Sequence, residues 1–166
     1  MAVMDLATLN SSLDQFLIPN PAYPSNIWDY FNNLSNLGCR PTELHRIELW
    51  SVGPASQFIL QPTKNNYNRY FYDYELSPTL RDAIINGVNP YYGILYGKSL
   101  YYFNKWYLYQ PCKIGTKNID TYLFRHRYIK NLAHNGFTVP EITAKLGWVN
   151  PDMALNYINS VIEYTP

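Results

Sequence analysis

One stretch of this chain predicts a β-hairpin, and the stretches on both sides of it predict helices, which together indicate the fold class. Residues 57–76 read QFILQPTKNNYNRYFYDYEL and predict two β-strands, Phe58–Gln61 and Tyr70–Leu76. The turn between them, PTKNNYN, contains the proline and paired asparagines that favour a chain reversal. Most of the sequence outside this hairpin has the hydrophobic spacing of helices. We therefore expect a single, mostly helical α+β domain with a small antiparallel β-sheet, a size that suits 166 residues.

Proline, glycine and asparagine mark the ends of the predicted helices. Ser77 is the expected N-cap of a helix that Gly87 ends, and Thr138 is the expected N-cap of a later helix. The predicted helices are Met4–Ile18, residues 26–38, a helix that begins at Pro41, residues 78–87, Ile119–His134, Val139–Leu146 and Asp152–Tyr164. Residues 88–118 predict loops and one short helix, Ser99–Tyr109. We expect residues 1–25 to be an N-terminal segment with a proline-rich connector, and residues 26–166 to be the domain.

Composition narrows the class of function. The chain has 13 Lys and Arg against 12 Asp and Glu, so its net charge of +1 does not indicate strong non-specific DNA binding. Its 17 tyrosines suit a contact surface. Cys39 and Cys112 form no metal-binding or redox motif, and we expect reduced thiols, with a disulfide between them left open. The sequence shows no signal peptide and no apolar run of membrane length, so we expect a soluble cytoplasmic protein.

An arginine, a tryptophan and a tyrosine lie at defined separations in the second half of the chain. Trp148 follows Arg125 by 23 residues, and Tyr157 follows Trp148 by nine. Arg40 stands at a helix start, where the helix dipole disfavours a cation, and Lys64 stands at the predicted hairpin tip. Two arginines can hold a phosphate as planar forks, a phenol can form a reversible phosphodiester, and a lysine can protonate the leaving oxygen. This set is suited to phosphodiester transesterification without a metal or another cofactor.

These residues lie in motifs that resemble the catalytic domain of tyrosine recombinases, the phage integrases and their relatives. The motifs are LGCRPTEL, TKNN, YLFRH, LGW and NYI, in that order, from about residue 26 to the end of the chain. The resemblance implies DNA breakage and rejoining, double-stranded DNA as the partner, and a homo-oligomer or larger assembly without a membrane or a small-molecule substrate. It implies that Arg40 and Arg125 bind the phosphate, Lys64 protonates the leaving oxygen, Trp148 donates a hydrogen bond and Tyr157 is the nucleophile.

Some features depart from that family. Tyr122 occupies the first position of the family's His-x-x-Arg segment, and its phenol can donate a hydrogen bond to phosphate but cannot shuttle protons at neutral pH as imidazole does. Residues 1–26 leave no room for the family's N-terminal DNA-clamping domain, and nine residues after Tyr157 make a short tail. With the near-neutral charge, these features favour a second hypothesis, a retired recombinase fold that serves as a structural or DNA-contacting protein of a virion or a mobile element. A third is an accessory protein that occupies recombination sites without cutting.

Ordinary structural interpretations of the same residues stay open. Arg125 fits a salt bridge with a helix carboxylate, and Trp148 fits core packing. His126 and His134 have no carboxylate at metal-ligand spacing, so we interpret both as structural or solvent-facing and expect no metal site. Four lysines suit contacts with DNA phosphates, with a solvated surface as the alternative: Lys98, Lys105, Lys113 and Lys117. The tyrosine-rich stretches 67–74 and 91–109 suit base stacking or, alternatively, packing.

Overall fold

The computed structural model describes residues 1–21, 25–62, 66–91 and 113–166. Within these ranges the chain forms seven α-helices and seven short β-strands. The helices are α1 (Leu6–Phe16), α2 (Ser25–Leu37), α3 (Pro41–His45), α4 (Pro78–Asn86), α5 (Thr121–His134), α6 (Val139–Lys145) and α7 (Asp152–Asn159). The strands are β1 (Ala2–Val3), β2 (Trp50–Val52), β3 (Gln57–Leu60), β4 (Arg69–Tyr72), β5 (Lys113–Ile114), β6 (Lys117–Asn118) and β7 (Glu163–Tyr164). The predicted helix Ser99–Tyr109 lies outside the described residues.

The helices begin where short polar side chains cap them. Ser77, Asp120 and Thr138 each accept a backbone N–H from the first turn of α4, α5 and α6, at 3.2, 3.0 and 3.3 Å. Gly87 adopts the left-handed conformation at a φ of 65° and ends α4. The predicted caps Ser77, Gly87 and Thr138 are therefore confirmed, and the helices that they delimit lie within one residue of the predicted bounds.

The predicted hairpin is present as part of a three-stranded sheet. β3 pairs antiparallel with β4 and sets Phe58 opposite Phe71, so that two buried rings share the inner face. β2, which the sequence did not predict, pairs antiparallel with the other edge of β3. β4 ends at Tyr72 rather than at Leu76, because residues 73–75 form a 3₁₀ turn in which the Tyr72 N–H donates to the Glu75 carboxylate at 2.7 Å.

The main core is an aromatic cluster between α1, α2 and α5. The Phe31 ring lies 5.1 Å from the Phe16 ring and 5.3 Å from the Phe124 ring, between centroids. Such pairs contribute roughly 0.5–1.5 kcal/mol beyond their buried area. A smaller cluster joins α5 to α6 and α7 and consists of Ile129, Ile142, Leu146, Trp148 and Ala154. Because α5 contributes to both clusters, it holds the two C-terminal helices against the rest of the domain.

The two ends of the chain pair with each other. β1 and β7 are antiparallel, with Ala2 opposite Tyr164. The last helix accordingly ends at Asn159, and the prediction that it continues to Tyr164 is wrong. The Lys130 ammonium of α5 donates to the Ser160 carbonyl at 2.7 Å, and a cation at this position stabilises the C-terminal end of a helix.

These observations confirm the α+β class, mostly helical with small antiparallel sheets. In the part of the chain that the structure describes, no helix has both the length and the apolar character needed to cross a membrane.

Candidate active site

Three of the predicted residues meet where α5, α7 and the turn after α6 come together. The Trp148 and Tyr157 rings stack, with centroids 5.7 Å apart and planes at 14°. The guanidinium carbon of Arg125 lies 5.3 Å from the Trp148 ring centre and 5.6 Å from the Tyr157 ring centre. These distances are those of cation–π contacts. The structure thus brings one cation and two aromatic rings into a single group, here called the Arg125 cluster (Arg125, Trp148 and Tyr157).

Arg125 is a buried cation with an unused donor. Only 3% of its surface is exposed. Its Nη1 donates to the Gly38 carbonyl at 2.9 Å. The same atom lies 3.9 Å from Glu43 Oε1, so the salt bridge with a helix carboxylate that the sequence analysis left open is present at long range. Its Nε–H has no hydrogen-bond partner among the described residues. A buried donor without a partner costs about 1–3 kcal/mol, so an oxygen supplied by a ligand would be stabilised at this point.

Arg40 reaches the same neighbourhood from the start of α3. Its backbone N–H donates to Glu43 Oε1 at 2.6 Å, so the carboxylate that lies near Arg125 also fixes the chain at Arg40. Burial lowers the Arg125 pKa most, and the charges of Arg69 and Arg40 lower it further. Cations that repel one another in this way favour the arrival of an anion.

His126 packs directly on Tyr157. The two ring centroids are 4.8 Å apart. His126 Nδ1 lies 3.3 Å from Ser160 Oγ, and the Ser160 hydroxyl donates to the Tyr157 carbonyl at 2.8 Å. Burial lowers the His126 pKa, and the Lys130 charge lowers it further, so the imidazole is neutral at pH 7. The sequence left both histidines as structural or solvent-facing; the structure places His126 in the site, whereas His134 is exposed.

Arg69 and Gly147, which the sequence analysis did not select, connect the hairpin to the site. The Arg69 side chain is 4% exposed and donates from Nη2 to the Leu37 carbonyl at 2.7 Å and from Nε to the Lys145 carbonyl at 2.9 Å. The Gly147 carbonyl accepts the Tyr67 N–H at 2.7 Å. These hydrogen bonds hold the base of the hairpin against the turn that contains Trp148.

The remaining predicted residues lie apart from this cluster or outside the described ranges. Tyr122 lies three residues before Arg125 on α5, and half of its surface is exposed. Lys113 is exposed and Lys117 half-exposed on the small β5–β6 sheet. Three predicted residues, Lys64, Lys98 and Lys105, lie outside the described residues.

The first tyrosine-rich stretch lies largely at the surface. Tyr67, Tyr70, Tyr72 and Tyr74 are exposed, and the Tyr72 and Tyr74 rings stack with centroids 5.5 Å apart. Of the stretch 91–109, Tyr91 is described and is fully buried, which fits the packing alternative at that position.

The arrangement combines cations, a phenol and a neutral imidazole. In the four described ranges, no group of three or more His, Cys, Asp or Glu side chains is placed to hold a metal ion. Arg40 and Arg125 are the side chains suited to an anionic group here, because guanidinium binds oxyanions through paired N–H donors. The phenol ring of Tyr157 lies beside Arg125, with the guanidinium carbon 5.6 Å from the ring centre.

Comparisons with known proteins identify the fold. No protein-family model matches the chain, and no curated protein sequence matches it. Among solved structures, the Tn1549 transposon integrase in complex with circular intermediate DNA aligns with a TM-score of 0.53 at 16% identity, over 96% of this chain and 63% of that chain. A substituted form of that integrase, in complex with transposon right end DNA, aligns with a TM-score of 0.52 at 17% identity, over 96% and 62%.

This likeness establishes the integrase fold. A second substituted form, in complex with another circular intermediate DNA, aligns with a TM-score of 0.54 at 16% identity, over 96% of this chain and 62% of that chain. The chain thus spans less than two thirds of the integrase chains that it resembles. At this level of identity the similarity concerns the fold, and the function has to be argued from the site.

Proposed function

We propose that this protein breaks and rejoins DNA strands through a 3′-phosphotyrosyl intermediate at Tyr157. The observation that carries the proposal is the buried Arg125 guanidinium, whose Nε–H has no partner among the described residues and whose carbon lies 5.6 Å from the Tyr157 ring centre. A cation with an unused donor beside a phenol suits a phosphodiester. One phosphate oxygen would accept the free N–H, and the phenol oxygen would attack the phosphorus.

The other predicted residues take complementary roles in this proposal. Arg40 joins Arg125 in holding the non-bridging oxygens, whose negative charge grows in the transition state. Trp148 and Tyr122 donate hydrogen bonds to the phosphate. Lys64 protonates the departing 5′ oxygen. The chemistry uses protein side chains throughout, and the energy of the broken bond is kept in the phosphotyrosyl bond, so that the strand can be rejoined.

Double-stranded DNA is the proposed substrate. The integrases that share this fold are described in complexes with DNA, which supports the same partner here. Residues 26–166 are the proposed catalytic unit, and residues 1–25 precede it. We further propose a homo-oligomer or larger assembly on the DNA, active in the cytoplasm of the host cell, with Lys113 and Lys117 as phosphate contacts.

Access to Arg125 requires movement. With 3% of its surface exposed, Arg125 is covered by its neighbours, and the stacked rings of Trp148 and Tyr157 lie against it. In the proposed reaction the Tyr157 ring separates from Trp148 when the phosphate enters.

The same burial favours a second candidate, a retired recombinase fold with a structural or DNA-contacting role, for example in a virion. In that case the Arg125 cluster is permanent core packing. The exposed, stacked Tyr72 and Tyr74 rings would then belong to a contact surface.

Covalent trapping on DNA separates the two candidates. The protein is incubated with nicked duplexes from a pool of sequences of the neighbouring genome, because a nick lets the cleaved end diffuse away and leaves the adduct in place. We expect an adduct that survives denaturation and disappears in Tyr157→Phe. Tyr70→Phe is the matched control, since this tyrosine is exposed on β4, and it is expected to form the adduct. The absence of an adduct from folded wild-type protein with every duplex would favour the structural candidate.

A further inference from the structure

The hydrogen bonds around Ser160 determine which nitrogen of His126 carries the proton. A serine hydroxyl has one hydrogen to donate. The Ser160 hydroxyl donates it to the Tyr157 carbonyl at 2.8 Å. With the hydroxyl hydrogen on that carbonyl, the 3.3 Å contact between Ser160 Oγ and His126 Nδ1 is a hydrogen bond only when the imidazole donates it. In that tautomer Nδ1 carries the hydrogen, and Nε2 is left with a free electron pair.

The surroundings of His126 keep the ring neutral and close to the phenol. Burial lowers its pKa from the ordinary value near 6.5, so the neutral form predominates at pH 7. The charged and titratable groups that face it are Lys130 and Asp120 from α5 and its cap, Arg125 beside it, Lys117 from β6, and Tyr157 from α7. Of these, Asp120 alone favours the imidazolium, whereas Lys130, Arg125 and Lys117 oppose it.

We propose that His126 is the proton acceptor for the Tyr157 phenol, a role that rests on the proposed function. The imidazole and phenol rings are in contact, with centroids 4.8 Å apart, and Nε2 has a free electron pair. Tyr122 does not share this arrangement, because half of its surface is exposed to solvent.

The proposed step is a proton transfer coupled to phosphoryl transfer. The Tyr157 O–H bond breaks, and its proton passes to His126 Nε2, directly or through one water molecule. The phenol oxygen forms the new bond to phosphorus, and the bond from phosphorus to the 5′ oxygen breaks with both electrons going to that oxygen. The 5′ oxygen takes a proton from an acid or from water. In rejoining, the imidazolium returns its proton to the phenol oxygen as Tyr157 departs.

Two substitutions of His126 test whether the imidazole accepts the proton of Tyr157 or only holds its neighbours in place. In His126→Asn, the side-chain N–H₂ can still donate to Ser160 Oγ, but no basic nitrogen remains. His126→Gln removes the base with a longer side chain. Because a positioned general base contributes about 10²–10⁴-fold in rate, we expect both variants to cleave nicked DNA at least about 100-fold more slowly in single-turnover assays. His134→Gln, an exposed histidine of the same helix, is the matched control and is expected to stay within about twofold of wild type.

The pH dependence gives a second readout that a purely structural role would not change. In wild type, the cleavage rate falls as the pH drops through the lowered pKa of His126, below about 6.5. Both His126 variants lack this limb. Full activity in His126→Asn, or the same acidic limb in a folded His126 variant, would overturn the proposal.

Nuclear magnetic resonance tests the protonation state without any DNA. Long-range proton–nitrogen correlation of the wild-type protein is expected to show a protonated Nδ1 and an unprotonated Nε2 at His126. In Ser160→Ala this preference is expected to weaken. A wild-type ring protonated at Nε2 would overturn the proposal whatever the activity. An adduct at Tyr157 with unchanged kinetics in both His126 variants would refute this inference alone, whereas no adduct in wild type would refute the proposed function and the catalytic use of His126 together.

Discussion

Gly147→Ala measures how much the contact between the hairpin and the turn after α6 contributes to stability. Gly147 has a φ of 72°, and a Cβ there would lie 2.5 Å from the Tyr67 carbonyl oxygen and 3.1 Å from Arg69 Cγ. The left-handed conformation alone costs an alanine about 1 kcal/mol. The carbonyl must also retreat to an ordinary contact distance, which breaks the 2.7 Å bond from the Tyr67 N–H to the Gly147 carbonyl, at about 1 kcal/mol. With the strain of moving two packed segments, we expect a total loss of about 3 kcal/mol.

Gly87→Ala is the matched control for this substitution. Gly87 has nearly the same φ, 65°, but a Cβ there meets nothing within 4 Å. This variant therefore carries the conformational cost of about 1 kcal/mol without the collision. Urea unfolding of both variants and wild type, with the slopes compared, gives the two free-energy differences. Equal losses of stability in Gly147→Ala and Gly87→Ala would show that the contact between the hairpin and the Gly147 turn contributes nothing.

Arg69→Met is expected to lower the free energy of unfolding by about 2–5 kcal/mol in urea, because the Leu37 and Lys145 carbonyls lose buried donors at 2.7 and 2.9 Å. Arg46→Met, at an exposed arginine, is the control and should cost under about 0.5 kcal/mol; equal losses would contradict the anchoring role. Burial lowers the pKa of His45 to about 4, so the unfolded chain, with a pKa near 6.5, takes up a proton first. The stability that the neutral, buried His45 contributes is therefore complete above about pH 6.5 and is lost as the pH falls to about 4. In His45→Gln, we expect Tm to fall less between these two pH values than in wild type. An equal fall of Tm in both proteins would exclude His45 as the cause.

The sequence predicts helix starts well because the signal is local. The hydroxyl groups of Ser77 and Thr138 accept N–H groups only three residues away, so the pattern and the bond lie in the same short stretch. The sequence failed where an element depends on a distant partner. β2 is three residues long and exists because β3 pairs with it. The early end of α7 goes with the pairing of β7 with β1 at the other end of the chain and with Lys130, which reaches the Ser160 carbonyl from α5.

The same distinction holds for the candidate site. The spacing of Arg125, Trp148 and Tyr157 indicated one site because Arg125 and Tyr157 lie on helices and Trp148 lies in the short turn between α6 and α7, and the structure brings their side chains together. His126 and Arg69 were missed, since their roles depend on partners far away in the sequence. One signal for Arg69 was available. It lies two residues before Phe71 in the same strand, and therefore on the inward face.

The chemical identity of the trapped adduct shows which side chain attacks the DNA. No Lys or Arg follows Lys145, so trypsin releases residues 146–166 as one peptide that holds two tyrosines, Tyr157 and Tyr164. After nuclease digestion of the trapped DNA, fragmentation mass spectrometry of this peptide assigns the residual nucleotide to one of them. We expect a nucleotide on Tyr157 and an unmodified Tyr164. A nucleotide on another residue, or a peptide 146–166 that stays unmodified with every duplex in the pool, would contradict it.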